Sequence, residues 1–414
     1  MRRETTRADP RSIRHWNEYA VVQALRGGGS QRISELAAAT GLTPAPLGQV
    51  LRSLESKGWV VADGGTPNGR GRPAQTFTAR VPEGCVLGLD LGAHTVRAVR
   101  LDLRGEVLGT AERPMPRDGK GPEAGGTTEA ARAEAVARAI AECGASADAV
   151  WLSALAVGGS LAEDGRVLRS VAMPEWEGRH PAEVFAGVLP AQTIVVNDVR
   201  AATWAEHAVG AAAGHPTVLL AQLGRRPTLG LLFDDAPWRG AHGTAGDLSL
   251  NSFLPAEDAM DWLRAYLDRP DPIGAAVHDA LAGDEKVRGD VRAHVERIAP
   301  ALALATAVVD PSVLVVGGAL APLADDFLEP LAAHVRAHVQ HPPEVVATGL
   351  DQFAAARGAA LLGLREIDAE LADPTAGVLP LEREVFAERR GGEGPMCASP
   401  ASAHLPGAHR DVPG

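Results

Sequence analysis

The stretch RISELAAATGLTPAPLGQVLRSLESKGWV, Arg32 to Val60, leaves the chain few choices of local fold. A helix over about Ser34–Thr40 stops at Gly41, because glycine takes the positive φ of a helix C-terminus at little cost. A second helix starts with Thr43 as its cap and Pro44 at the first helical position, where a missing amide is tolerated. Leu47, Val50, Leu51 and Leu54 follow at i, i+3, i+4 and i+7, a stripe that has to face a core. Ala45, Gly48, Gln49, Arg52 and Ser53 fall on the other side. Small residues at 45 and 48 permit close approach to a groove, and Gln49 and Arg52 carry the donors that base edges or phosphates need. A solvated face on a packing helix is the competing account of any one of these side chains.

The flanks favour the groove. WNEYAVVQAL, Trp16 to Leu25, reads as a preceding helix broken by GGGS at 27–30. GWVVADGG reads as a strand from Trp59, TPNGRGRPA as a Gly-rich tip, and QTFTA as the returning strand. Arg70 and Arg72 lie in that tip, where guanidinium groups can follow phosphates or enter a minor groove. The outline is a winged helix-turn-helix over 16–80 behind a flexible 1–15, with Thr43, Ala45, Gln49, Arg52, Arg70 and Arg72 as the DNA-contact candidates. Charge agrees: residues 1–80 hold 12 Lys or Arg against 6 Asp or Glu, while the whole chain carries −12. A basic end on an acidic body can bind nucleic acid through that end alone.

With 414 residues the chain has length for two or three domains. Its three cysteines, Cys85, Cys143 and Cys397, are widely spaced and odd in number, which indicates neither a disulfide framework nor a zinc cluster. The charged start lacks an apolar run and no long uncharged apolar segment follows, so the expectation is a cytoplasmic protein that neither is exported nor spans a membrane. Beyond Pro82, CVLGLDLGAHTVRAVRLDLRGEVLGT gives strands around the turn DLGAHT, 128–143 a helix, and VWLSALAVGG and TIVVNDV buried strands. TVLLAQLG and TLGLLFDD, helical segments within 255–308 and VLVVGG at 313–318 repeat the pattern, which suggests two related α/β lobes with a cleft.

Residues 16–80 resemble the DNA-binding domain of repressors in the ROK family (repressors, open reading frames, kinases), of the NagC/XylR-like kind. The body, 85–372, is similar to the same family's sugar-kinase-like domain of actin-like ATPase fold, through LGLDLGAHTVRAV, VVNDVRAATWAE, RGAHGTAGDLSL, VVDPSVLVVGGAL and GLDQFAAARGAALLGL. The fold expected is therefore α/β, a winged helix-turn-helix followed by a two-lobed kinase-like domain, with a disordered tail over 374–414.

In kinase members the acid matching Asp198 is the base and that matching Asp90 lies near Mg²⁺ and phosphate, with Gly92 and Thr95 in the same nucleotide-side turn. The second phosphate loop, Gly-Thr-Gly-x-Gly in active members, stands here as LGRRPTLG; Arg225 and Arg226 add bulk and Pro227 removes a donor. The sugar motif Gly-Glu-x-Gly-His stands as GDLSL, with Asp247 for Glu and Ser249 for His, and AMPEWEG replaces Pro-Asn-Leu. Without that His and its three cysteine partners no family-type zinc site is expected, and His207 and His242 read as ordinary polar histidines.

These features together point to a DNA-binding regulator, a repressor rather than an enzyme, that needs no cofactor. Its cleft would sense a sugar-like or other small effector through Asn197, Asp198 and Asp247. Its DNA partner would be a near-palindromic operator bound by a homodimer or a dimer of dimers. The alternatives are an ATP- and Mg²⁺-dependent sugar kinase, with Asp198 catalytic and Asp90, Gly92 and Thr95 at the nucleotide, and a protein-interaction scaffold.

Overall fold

A computed structural model describes residues 10–64, 75–114, 129–224, 227–248, 257–269 and 271–390. The first unit contains α1 (Pro10–Gly28), β1 (Gln31–Arg32), α2 (Ile33–Thr40), α3 (Pro44–Ser56), β2 (Val60–Asp63) and β3 (Thr76–Ala79). Gly41 ends α2 at φ 71, and Thr43 precedes α3 in extended conformation with Pro44 at its start. Leu47, Val50, Leu51 and Leu54 are buried with Val21, Val22 and Leu25 of α1 and Leu36 of α2. Each such side chain contributes roughly 1.5–3 kcal/mol on leaving water. The three strands form one antiparallel sheet in the order β1-β3-β2. The tip that carries Arg70 and Arg72 lies outside the described residues.

Two expectations for this unit change. The first helix begins at Pro10 rather than near residue 16, because Arg14 and His15 are held within it, by Glu18 and by the Thr375 carbonyl. Ser53 does not belong to the outward face; its hydroxyl donates to the Glu18 carboxylate at 2.7 Å, which turns it toward α1.

The body begins with β4 (Cys85–Leu91), β5 (Thr95–Asp102), β6 (Val107–Pro114) and α4 (Glu129–Glu142). There follow β7 (Val150–Val157), β8 (Ser160–Leu161), β9 (Val167–Arg169), α5 (Pro181–Val184), β10 (Thr193–Asn197) and α6 (Asp198–Val209). The second lobe has β11 (Thr217–Gln222), β12 (Thr228–Phe233), β13 (Ala236–Pro237), a 3₁₀ segment (Glu257–Tyr266), α7 (Pro272–Leu281), α8 (Glu285–Val309) and β14 (Val313–Gly317). It continues through α9 (Ala324–His338), β15 (Glu344–Ala347) and α10 (Ala354–Leu371). The sheets run β10-β7-β4-β5-β6 and β15-β14-β11-β12-β13. In both, the first three strands form an antiparallel meander and the fourth and fifth add in parallel on the first strand's other side. The two lobes thus repeat one topology.

The final helices of the lobes are exchanged. Ala356, Ala359 and Ala360 of α10 pack on Val86, Leu152 and Ala154 in the sheet of lobe 1. Ala202 of α6 packs with Val218, Leu220 and Leu232 in the sheet of lobe 2. Where α6 and α10 cross, a Cβ on Gly358 would run into the Ala201 carbonyl, so only glycine lets the backbones approach this closely. The other faces are covered by α4 in lobe 1 and by α7, α8 and α9 in lobe 2.

The expected disordered tail from 374 is also corrected. β16 (Ala372–Asp373), β17 (Gly377–Val378) and α11 (Arg383–Arg390) follow α10, and Val378, Leu381 and Phe386 are buried, which ties this stretch to the body. Residues 391–414 lie outside the described part.

Candidate functional site

A cleft of ≈ 270 Å³ opens between the lobes, near the lower bound of about 300 Å³ usual for small-molecule pockets. Gly158, Gly159 and Ser170 border it from lobe 1, and Gln222, Thr228 and Gly246 from lobe 2. Asn197, Asp198 and Asp247 all line it, so the three expected effector contacts come together. β10 delivers the first two: it ends in an Asn whose side-chain oxygen accepts the Arg200 amide at 2.9 Å and caps α6.

Their free hydrogen-bonding capacity differs. The Asn197 amide nitrogen donates to the Gly159 carbonyl at 2.9 Å and to Asp198 Oδ1 at 3.1 Å, so its side chain is engaged in holding the cleft wall. Asp198 Oδ1 also accepts the Val199 amide at 2.8 Å, which leaves Oδ2 toward Gly158 and the cavity. Burial pushes the Asp198 carboxyl up; the Val199 amide and Arg200 pull it down, and Asp247 adds to the rise. A ligand hydroxyl can donate to such a carboxylate, and a raised carboxyl can also take a proton.

Asp90 stands opposite Arg97 in the β4–β5 pair, 3.6 Å from its guanidinium, which also donates to Glu112 at 2.7 Å. Burial first, and then the charge of Asp198, push Asp90 up to about 7 against the pull of Arg97. The Gly92 amide donates to the Thr95 carbonyl at 2.9 Å, closing the turn on itself. Asp90 is paired to a cation, the Gly92 amide is turned inward and Pro227 has no backbone donor, three features that work against a phosphate-and-Mg²⁺ cradle. Arg225, Arg226 and Ser249 lie outside the described residues. Among the described residues no group of three or more His, Cys, Asp or Glu is placed to hold a metal, and no helix is long and apolar enough to cross a membrane. The largely buried His207 meets the exposed carboxylate of Asp235 at 2.9 Å through Nε2.

On the first unit, Thr43, Ala45, Gln49 and Arg52 form an exposed row along α3. Sequence reasoning missed the residue beneath it. Glu18 of α1 is 1% exposed and its carboxylate accepts Lys57 Nζ at 2.6 Å as well as Ser53. These partners hold its carboxyl below its usual value despite burial. Its place four residues after Arg14 was the available signal. In the cleft, Ser170, Gln222 and Thr228 were also missed. Gly158-Gly159 directly after a largely apolar strand could have marked that wall.

Comparison with solved structures returns proteins of similar fold. A ROK family transcriptional regulator described as a homologue of the E. coli MLC protein aligns at 18% identity and TM-score 0.63, over 86% of this chain and 96% of its own. A ROK family glucokinase from Streptomyces griseus, solved with glucose and AMPPNP, aligns at 20% and 0.55 over 68% of this chain and 100% of its own. A ROK hexokinase from Thermus thermophilus aligns at 24% and 0.51 over 69% and 99%. These likenesses establish the fold. No curated protein sequence matches the chain. Residues 86–250 match the model of the ROK family, and the chain therefore carries a ROK-family domain.

Proposed function

We propose that the chain is a sequence-specific DNA-binding regulator, a repressor of the NagC/XylR-like kind, whose cleft takes a small polyhydroxylated effector such as a sugar. The observation that carries this reading is the row Thr43, Ala45, Gln49 and Arg52, presented by a helix whose opposite stripe is wholly buried. α2, Gly41 and α3 supply a helix-turn-helix, and the β2–β3 hairpin supplies the wing. The alignment with a transcriptional regulator supports it, since that match extends over 86% of the chain and the kinase matches over 68% and 69%. Symmetric pairing of two chains would present two reading helices to a near-palindromic operator.

In the cleft, Asp198 and Asp247 accept ligand hydroxyls while Asn197 holds the wall. An effector acts by binding one arrangement of the lobes better than the other. The test is binding of the purified chain to its own upstream DNA and to a scrambled duplex across a salt series. Strong preference for the upstream duplex supports the regulator; equal weak binding defeats it.

A second reading rests on the position of Asp198, a raised carboxyl at the head of α6 inside the cleft, where a sugar kinase needs its base. ATP- and sugar-dependent ADP release abolished by Asp198→Asn would establish that activity.

A further inference from the structure

One network of contacts joins the first unit to the segment that follows α10. From one end, the Trp59 indole N–H donates to the Leu379 carbonyl at 2.6 Å, and the Leu381 amide donates to the Lys57 carbonyl at 2.8 Å. His15 Nδ1 lies 3.1 Å from the Thr375 carbonyl. Arg26 pairs with Asp368 of α10 and lies over the Trp59 ring at 5.0 Å. From the other end, Phe386 of α11 packs on Trp151 of β7 with ring centroids 6.0 Å apart. Arg383 donates to the carbonyls of Ala147 and Asp148, and Arg389 pairs with Glu370 at 3.1 Å.

A domain hung on a single linker keeps its own core and a wet, polar boundary. Here Val21, Leu36, Leu54 and Trp59 share one core with Val86, Leu152, Leu371, Val378 and Phe386. Two chain passages, the link after Ala79 and the segment after Leu371, cross that boundary. We propose that residues 372–390 are a strap that fixes the first unit to lobe 1 and α10, so that these move as one body and the first unit has no hinge of its own. Given the DNA-reading function proposed above, on which this consequence rests, the strap sets the orientation of α3 and hence the half-site spacing that a pair of chains accepts.

The test uses the full chain with Cys397→Ser and Ser56→Cys, labelled with a fluorophore on α3; Cys85 and Cys143 are buried. Fluorescence anisotropy decay of this parent should show whole-chain tumbling with no component of the size of the first unit. Val378→Asp, which would place a carboxylate at a position 3% exposed, should release the strap and add that component. Should that variant not fold, the combination His15→Ala, Trp59→Phe and Asp368→Asn removes three polar ties and keeps the apolar contact. A unit-sized component already present in the parent overturns the strap, as does its absence from every folded variant.

The DNA arm inserts about five base pairs, half a helical turn, at the centre of the upstream segment protected by the parent. Affinity should fall about tenfold or more for the parent and less than about threefold for the released variant. An equal fall in both overturns the role in spacing. If the parent binds no upstream DNA, the regulator reading fails, and the anisotropy decay still decides the strap.

Discussion

Arg97 stands directly across the β4–β5 pair from Asp90, 3.6 Å from its carboxylate, with Glu112 on its other side at 2.7 Å. Asp90 is nevertheless pushed up to about 7, by burial and by Asp198. An unfolded Asp titrates near ~3.9. The folded chain therefore holds the extra proton between those values, and this group's stabilising contribution is full below the lower one and lost as pH rises through the upper.

Asp90→Asn should remove that loss without orphaning Arg97, which keeps Glu112. The melting temperature of the variant relative to the parent should rise by on the order of 2–4 °C between pH 5.5 and 8.5. A difference that stays flat over this range would show that Asp90 is ionised throughout.

Glu18→Gln should destabilise the first unit by about 1–3 kcal/mol, because Lys57 loses its buried partner. Combining it with Lys57→Met should recover most of the loss. Denaturant unfolding of both variants checks this, and no recovery would mean that Glu18 matters through Ser53 or shape instead.

Gly48 and Gly358 should respond in opposite directions. A Cβ at Gly358 meets the Ala201 carbonyl, and Gly358→Ala should cost about 1–3 kcal/mol. At Gly48 the nearest atom is the end of Arg52, so Gly48→Ala should stabilise α3 by roughly 0.5–1 kcal/mol. It should weaken operator binding all the same, if α3 lies against DNA. Melting curves and titrations with upstream DNA measure the two effects.

Gln49→Ala and Arg52→Ala should each narrow the gap between operator and random DNA by about 1–3 kcal/mol if they read bases. Thr43 makes no side-chain capping bond, so Thr43→Ala should leave stability within about 0.5 kcal/mol and report contact alone. Unchanged discrimination in the first two variants removes them as base readers.

What could be read from the sequence was local. The stripe of α3 and the turn at Gly41 follow from helical period and from glycine's freedom, and both need only neighbouring residues. Asp198 and Asp247 were found through motif positions, and the cleft does bring them together. Asn197 was assigned to the effector by the same route, yet its amide is engaged in capping and in bonding the Gly159 carbonyl. Partners far along the chain were not readable. Trp59 is bonded to Leu379, and Ser53 is turned by Glu18, through pairings that no periodicity encodes. For the same reason 374–390 reads in sequence as part of a disordered tail, since its few apolar residues find their burial in the first unit and lobe 1.

The exchange of α6 and α10 has a consequence for synthesis. The sheet of lobe 1 is complete once Asn197 has been made, but the helix that covers Val86, Leu152 and Ala154 begins only at Ala354. Lobe 1 therefore leaves the ribosome with an apolar face uncovered until α10 has followed, a window in which aggregation competes with folding. Any product that terminates within lobe 2 keeps that face bare.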